Sequence, residues 1–277
     1  MGHQPFPGAD DALRRAAALR GVQNVQDTSF VRLTPLPPRI DTDAHSPTLT
    51  QRVSFACGTE LNGETNLQLL GPHQLHNCEA ALAVLNAMAV GPACEIRLRR
   101  GGPPSWKLTA DGIATGLASA RLPGRFEVLA PKAGEPLIVV DGAHTPAASR
   151  ALADTLSSLG WTHISRRPLV MVLAAAADKD LVGISLPLAA LAPDHCIATR
   201  VNVAGGRVRS ASVDDVARAW RDSCTAAGQT GSTLECQPDM AAAMQRARAV
   251  AGRDGIVCVT GSLHAAFEAS RIMQTTP

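Results

Sequence analysis

Beyond Arg121 the sequence predicts an α/β fold on a mostly parallel sheet, from three observations. Apolar runs of strand length alternate strictly with segments of helical period, Leu137–Val140 reads as a strand buried on both faces, and capping residues open the intervening helices. Thr145 followed by Pro146 caps a helix that places Leu152, Leu156 and Leu159 on one face. Leu169–Leu173 is the next predicted strand, with a helix after Asp180, and Cys196–Thr199 is the third. Ser212 opens a helix with Val213, Val216, Ala217 and Trp220 at helical spacing, and Pro238 starts another that aligns Met240, Met244 and Ala247. Ile256–Val259 is the last core strand, ending at Thr260-Gly261-Ser262, which makes four or five strands in all.

The first 121 residues are less regular. A helical patch runs from Asp11 to Leu19, and residues 34–50 are rich in Pro, Thr and Asp without periodicity. Arg52–Ala56 alternates as a strand does, Leu67–Leu70 is a further short apolar segment, and a helix is predicted over Pro72–Val90, where Pro72 suits the first turn. Gly101, Gly102, Pro103 and Pro104 mark residues 91–108 as a loop, after which Thr109 opens a helix to about Ala118.

Composition narrows the partners. The chain has 277 residues, 45% of them hydrophobic and 18% charged, with a formal net charge of +2, too little to attract nucleic acid or a membrane surface at long range. Aromatics make up 3% with no tyrosine, which leaves few platforms for stacking bases. Small molecules are the expected partners. The seven cysteines (57, 78, 94, 196, 224, 236 and 258) lack the close spacing of zinc or dithiol sites and read as reduced core thiols. No stretch reaches the roughly 18 apolar residues of a membrane span, and neither a secretory leader nor an arginine-rich targeting helix is visible, so an intracellular compartment is expected.

In open α/β sheets ligands sit beyond the carboxyl ends of the strands, so the loops 141–145, 174–180, 200–210 and 260–263 are the candidates for chemistry. The first reads Asp141-Gly142-Ala143-His144-Thr145: an acceptor, a titratable ring and a helix N-terminus converge there. The alternative is a turn in which Asp141 and His144 satisfy only the backbone. Arg125, between the Pro123-Gly124 turn and a strand, could grip phosphate with its guanidinium fork, or pair with Glu127. Gln74 and Asn77, three apart at a helix start, could read the edge of a purine, or cap the helix. His73, His76 and Cys78 do not have the spacing of a metal site.

Taken in order, Leu69-Leu70-Gly71-Pro72-His73-Gln74 with Asn77, Gly116-Leu117, Pro123-Gly124-Arg125-Phe126-Glu127, Asp141-Gly142-Ala143-His144, Asp178-Lys179-Asp180 and Thr260-Gly261-Ser262-Leu263 resemble folylpolyglutamate synthase and the bifunctional dihydrofolate synthase of the Mur ligase superfamily. The resemblance covers about residues 50–270. It implies a Rossmann-like Mur ligase C-terminal domain over residues 122–277, preceded over 1–121 by a remnant of the α/β central ATP-binding domain.

By the same resemblance Gln74 and Asn77 would lie by the adenine of ATP and Arg125 by its phosphates, with Asp141 also at the nucleotide. Arg125, Asp141 and His144 would be the catalytic groups. The implied reaction activates a folate carboxylate to an acyl phosphate, which the amine of L-glutamate attacks. The implied partners are ATP, Mg²⁺, a reduced folate or dihydropteroate, and L-glutamate, in a family that is usually monomeric and cytoplasmic or organellar. The chain departs from the pattern in two ways. Thr145 stands where the family commonly has asparagine, and no Gly-x4-Gly-Lys-Ser or Gly-x4-Gly-Lys-Thr occurs to cradle the β- and γ-phosphates. The expectation is therefore of a C-terminal portion inactive alone, the other readings being a dihydrofolate synthase or a non-catalytic binding module of the same fold. A nicotinamide enzyme is disfavoured, since no Gly-x-Gly-x-x-Gly follows a predicted strand.

Overall fold

The structure, a computed structural model, describes residues 8–22, 25, 27–36, 49–90, 107–129, 134–160, 167–201 and 209–275. The predicted loop over 91–106, most of the Pro-rich segment and Cys94 lie outside the described residues. The chain divides into two units, with the boundary between Arg121 and Leu122.

In the first unit, α1 (Ala9–Leu19) buries none of its residues and is braced locally by the ion pair of Asp10 with Arg14 one turn on, at 2.8 Å. The alternating run at Arg52–Ala56 becomes the middle of an antiparallel sheet of β1 (Val31–Pro35), β2 (Gln51–Cys57) and β3 (Leu61–Leu67). Two of these strands are not evident in the sequence, for physical reasons. β1 has only Val31 and Leu33 turned inward, and β3 carries polar residues between its apolar ends, so pairing with β2 makes them strands rather than their own period. The short apolar segment Leu67–Leu70 contributes the last residue of β3 and then bends.

Helices α2 (Pro72–Val90) and α3 (Ala110–Ser119) cover this sheet, α2 against β1 and α3 against β3. Val53, Phe55, Leu67, Leu82 and Ile113 form the core. Thr109 caps α3 by accepting from the Gly112 amide at 3.1 Å.

The second unit holds β4 (Glu127–Leu129), β5 (Leu137–Val140), α4 (Pro146–Ser158), β6 (Leu169–Leu173), α5 (Leu181–Ala189), β7 (His195–Ala198), α6 (Val213–Ala226), β8 (Thr233–Cys236), α7 (Met240–Ala251), β9 (Ile256–Thr260) and α8 (Leu263–Thr275). Its sheet has the order β4-β5-β9-β6-β7-β8, parallel throughout except for β4, which runs antiparallel to β5. β6 and β9 are buried at every residue because helices cover both faces: α4, α5 and α6 pack in sequence, while α7 packs with α8. Each fully buried Val, Leu or Ile there contributes about 1.5–3 kcal/mol.

β8 is likewise hidden from a sequence reading. It is an edge strand with Glu235 in its interior and an exposed Cys236, so it lacks the continuous apolar run that betrays β6 and β9. That exposure corrects the reading of the cysteines as core thiols: Cys57, Cys78, Cys196 and Cys258 are buried, Cys224 is half-buried and Cys236 faces solvent. Among the described residues no helix is long and apolar enough to cross a membrane.

β9 lies between β5 and β6 although it follows both in sequence, so the direction of strand addition reverses beside it. Such a reversal opens a crevice at the carboxyl ends of the flanking strands.

Candidate active site

Three of the motifs interlock at that end of the sheet. The Asp141 amide donates to the Val259 carbonyl at 2.9 Å, which carries the β5 to β9 ladder into the loop, and the Gly142 amide donates to the Gly124 carbonyl at 2.7 Å. Asp141 is buried, and its carboxylate is divided: Oδ2 accepts from the Phe126 amide at 2.7 Å and Oδ1 from the Ala143 amide at 2.8 Å. Leu263, at the start of α8, presses on both loops. A Cβ on Gly142 would meet its Cδ2 at 2.3 Å, and one on Gly124, itself at φ +69°, would meet the same atom at 3.3 Å. Only glycine fits at Gly142.

Phe126 has φ 46°, a left-handed conformation that costs a non-glycine residue roughly 1–2 kcal/mol. Its buried side chain and the hydrogen bond its amide donates to Asp141 hold it there. Arg125, half-buried, immediately precedes it. Glu127 braces the same turn, its Oε2 accepting from the Gly124 amide at 2.8 Å.

Burial pushes the Asp141 carboxyl above its ordinary value, opposed by the two amide donors and by the charges of Arg125 and His144, which favour the ionised form. His144 is oriented by its own loop. Its Nδ1 lies 2.7 Å from the Gly142 carbonyl oxygen, so the neutral ring keeps its proton on Nδ1 and presents Nε2 as an acceptor. Thr145 then accepts from the Ala148 amide at 3.2 Å and caps α4.

A cavity of about 270 Å³ opens beyond the strand ends, lined by His144 after β5, Asp178 and Lys179 after β6, Arg209 after β7, and Ser262 and His264 at the start of α8. Each predicted loop thus contributes, although residues 202–208 lie outside the described residues. Arg209 is delivered there by backbone: Ala177 donates to the Arg209 carbonyl at 2.9 Å, and Ala176 bridges Ser210. Lys179 Nζ lies 3.4 Å from Asp178 Oδ2, and Ser262 Oγ accepts from the His264 amide at 3.1 Å in the first turn of α8. Two cationic side chains, two imidazoles and a helix N-terminus around one small cavity suit a ligand carrying carboxylates.

The candidates therefore divide. Arg125, Asp141 and His144 belong to one connected set of loops, of which only His144 reaches the cavity wall. In the first unit Gln74 is buried and accepts from Asn77 Nδ2 at 3.0 Å, while Asn77 itself is exposed. Lys179, Arg209, Ser262 and His264 join the site without a role that sequence reasoning assigns them. Among the described residues no group of three or more His, Cys, Asp or Glu side chains could hold a metal ion, so the Mg²⁺ implied by resemblance finds no ligand set there.

The chain is similar to several known proteins. The family description "Mur ligase, glutamate ligase domain" matches residues 124–263. A probable bifunctional folylpolyglutamate synthase/dihydropteroate synthase of Halobacterium salinarum is 31% identical over 220 residues, 79% of this chain and 22% of its own. A dihydrofolate synthase/folylpolyglutamate synthase of Mycobacterium tuberculosis is 36% identical over 127 residues, 46% of this chain and 22% of its own. The structure of Mycobacterium tuberculosis folylpolyglutamate synthase complexed with ADP superposes with a TM-score of 0.70 at 24% identity, covering 100% of this chain and 55% of that one. The chain thus spans about a fifth of the length of these two relatives and about half that of the solved structure.

Proposed function

Because the chain belongs to the Mur ligase family through its glutamate ligase domain, we propose that it serves the ATP-dependent ligation of L-glutamate to a folate, as a folylpolyglutamate synthase does. Residues 1–121 are read as part of the central ATP-binding domain and 122–277 as the C-terminal domain. The observation that carries the proposal is the cavity in which His144, Lys179, Arg209 and the α8 N-terminus converge.

In this reaction the acceptor's carboxylate oxygen attacks the γ-phosphorus of ATP, releasing ADP and leaving an acyl phosphate. The glutamate nitrogen attacks the acyl carbon, the C–O bond to phosphate breaks and an amide forms. Lys179 and Arg209 are assigned to the carboxylates of the incoming glutamate, with the α8 amides beside Ser262 as further donors. His144 Nε2 takes one proton from the glutamate ammonium, freeing the nitrogen lone pair, and the departing phosphate takes the other. Arg125 is assigned to the transferring phosphate, where a positive charge offsets the charge that develops. In the first unit, Asn77, steadied by Gln74, is assigned to the adenine. A divalent cation would neutralise the triphosphate when bound; none of these steps is assigned to it. Dihydropteroate as acceptor needs the same glutamate site, so the proposal extends to dihydrofolate synthesis.

The test uses the 277-residue chain with ¹³C-labelled histidine. L-Glutamate is expected to shift the His144 and His264 ring signals saturably, L-glutamine to bind more weakly, and Lys179→Ala or Arg209→Ala to weaken binding roughly tenfold, the scale of one charge-assisted hydrogen bond. Unmoved rings, or equal binding of glutamine, would refute the assignment. Without the phosphate-loop sequence, the same chain alone is expected not to turn over ATP.

A further inference from the structure

Among the described residues lining the cavity Asp178 is the one carboxylate, set beside Lys179, Arg209 and two imidazoles, and the reaction steps above give it no work. We propose that Asp178 is the specificity-determining residue of the site: its carboxylate receives the ammonium of the incoming amino acid, so that the cavity selects an amino acid over a dicarboxylate of the same length without the amine. This rests on the reading above in taking L-glutamate as the occupant.

The charges of wall and ligand match in number and sign. L-Glutamate brings two carboxylates and one ammonium, and the described wall offers two cations, Lys179 and Arg209, with one anion, Asp178. Without that anion the wall holds only cations, imidazoles and neutral groups, beside which an ammonium is repelled or gains nothing. Such a wall would take glutarate as readily as glutamate. Selection for the amine therefore needs an acceptor that glutarate leaves unpaired, and an unpaired polar group is what makes a site reject the analogue.

The local structure leaves Asp178 available for this. Of the two acids in Asp178-Lys179-Asp180, Asp180 is committed, since its Oδ1 accepts from the Gly183 amide at 2.8 Å and caps α5. Asp178 lies in a tight turn after β6, in which the Lys179 amide donates to the Ala176 carbonyl at 3.3 Å, and the Ala177 amide fastens that turn to the Arg209 carbonyl at 2.9 Å. The Asp178 side chain is 61% exposed, and its Oδ2 stands 3.4 Å from Lys179 Nζ. That contact is longer than the roughly 2.7–2.9 Å of a close charge-assisted hydrogen bond. A carboxylate has about four acceptor positions, so one loose ion pair leaves room for a donor from the ligand. An ammonium has three N–H donors; one given to Asp178 leaves another for His144 Nε2, as the reaction requires.

The experiment titrates L-glutamate and glutarate into the 277-residue chain with ¹³C-labelled histidine, unsubstituted and as Asp178→Asn, and follows the His144 and His264 rings. The quantity read is the ratio of the two affinities, which a wall charge acting on the carboxylates alone cannot move. The expected ratio is roughly tenfold or more in favour of L-glutamate in the unsubstituted chain, the scale of one charge-assisted hydrogen bond, and falls to about one in Asp178→Asn. Equal affinities in the unsubstituted chain overturn the proposal whether or not the variant folds. A ratio that Asp178→Asn leaves unchanged also overturns it, because Asp178 then only balances Lys179. In both cases saturable binding of the two ligands leaves the functional reading standing. Rings that neither ligand moves refute the functional reading and this inference with it.

Discussion

Gly142 has less room than any side chain needs. A Cβ there would stand 2.3 Å and 2.6 Å from the Leu263 side chain and 3.1 Å from its Cα, so the clash involves backbone as well as a movable end. Gly142→Ala is expected to cost about 1–3 kcal/mol, the usual range for overpacking. Adding Leu263→Ala should recover only part of that loss, because the crowding against the main chain of residue 263 stays; a double-mutant cycle from urea melts measures it. Asp141 gives the second residue-level prediction. Its folded carboxyl is held above its ordinary value of 3.8, chiefly by burial, so the folded state binds the proton more tightly than the unfolded chain does. Its contribution is therefore most favourable below pH 3.8 and is lost as pH rises through the raised folded value. Asp141→Asn removes that dependence, and the stability advantage of the unsubstituted chain over this variant should narrow as pH rises from about 3 to neutrality. A gap in melting temperature that widens over that range would contradict the assignment.

Helix α4 starts where the site needs it because Thr145 supplies the cap and Pro146 the first turn. Thr145→Ala should destabilise the chain by about 1 kcal/mol, while Thr145→Asn should hold within a few tenths, since both residues cap well; thermal melts of the two variants separate them. That cap is readable from the residues alone, as are β5, β6 and β9, because an apolar run between turn residues has one reading in an alternating chain. β8 and β3 are not, because each becomes a strand through its neighbour: β8 lies along β7 with Glu235 in its interior, and β3 is polar between its ends. The site divides the same way. His144 follows a strand end and can be picked out by that position, whereas Arg209 reaches the cavity through a backbone bridge between Ala176 and Ser210, a tertiary pairing with no local signature. His264 directly follows the Thr260–Leu263 motif, but nothing in its spacing gives the direction of its ring.

Every residue assigned to the glutamate cavity, and all of the core that supports it, comes from the part of the chain after Leu122. The cavity wall draws on the loops after β5, β6, β7 and β9, and the core beneath it joins Ile138 and Val140 to Val170, Val172, Val257 and Val259 under α7 and α8. A parallel sheet covered on both faces has the size and burial of an independent domain. Residues 122–277 expressed alone are therefore expected to unfold in one cooperative transition and to shift the His144 and His264 signals with L-glutamate at the same midpoint as the 277-residue chain. Asn77 and Gln74 lie in the other unit, so an adenine nucleotide should lose affinity in the shorter piece while L-glutamate does not. If the shorter piece folds cooperatively and yet L-glutamate no longer moves either ring, the amino-acid site needs groups from the first 121 residues, and the division of labour argued from the cavity wall is wrong.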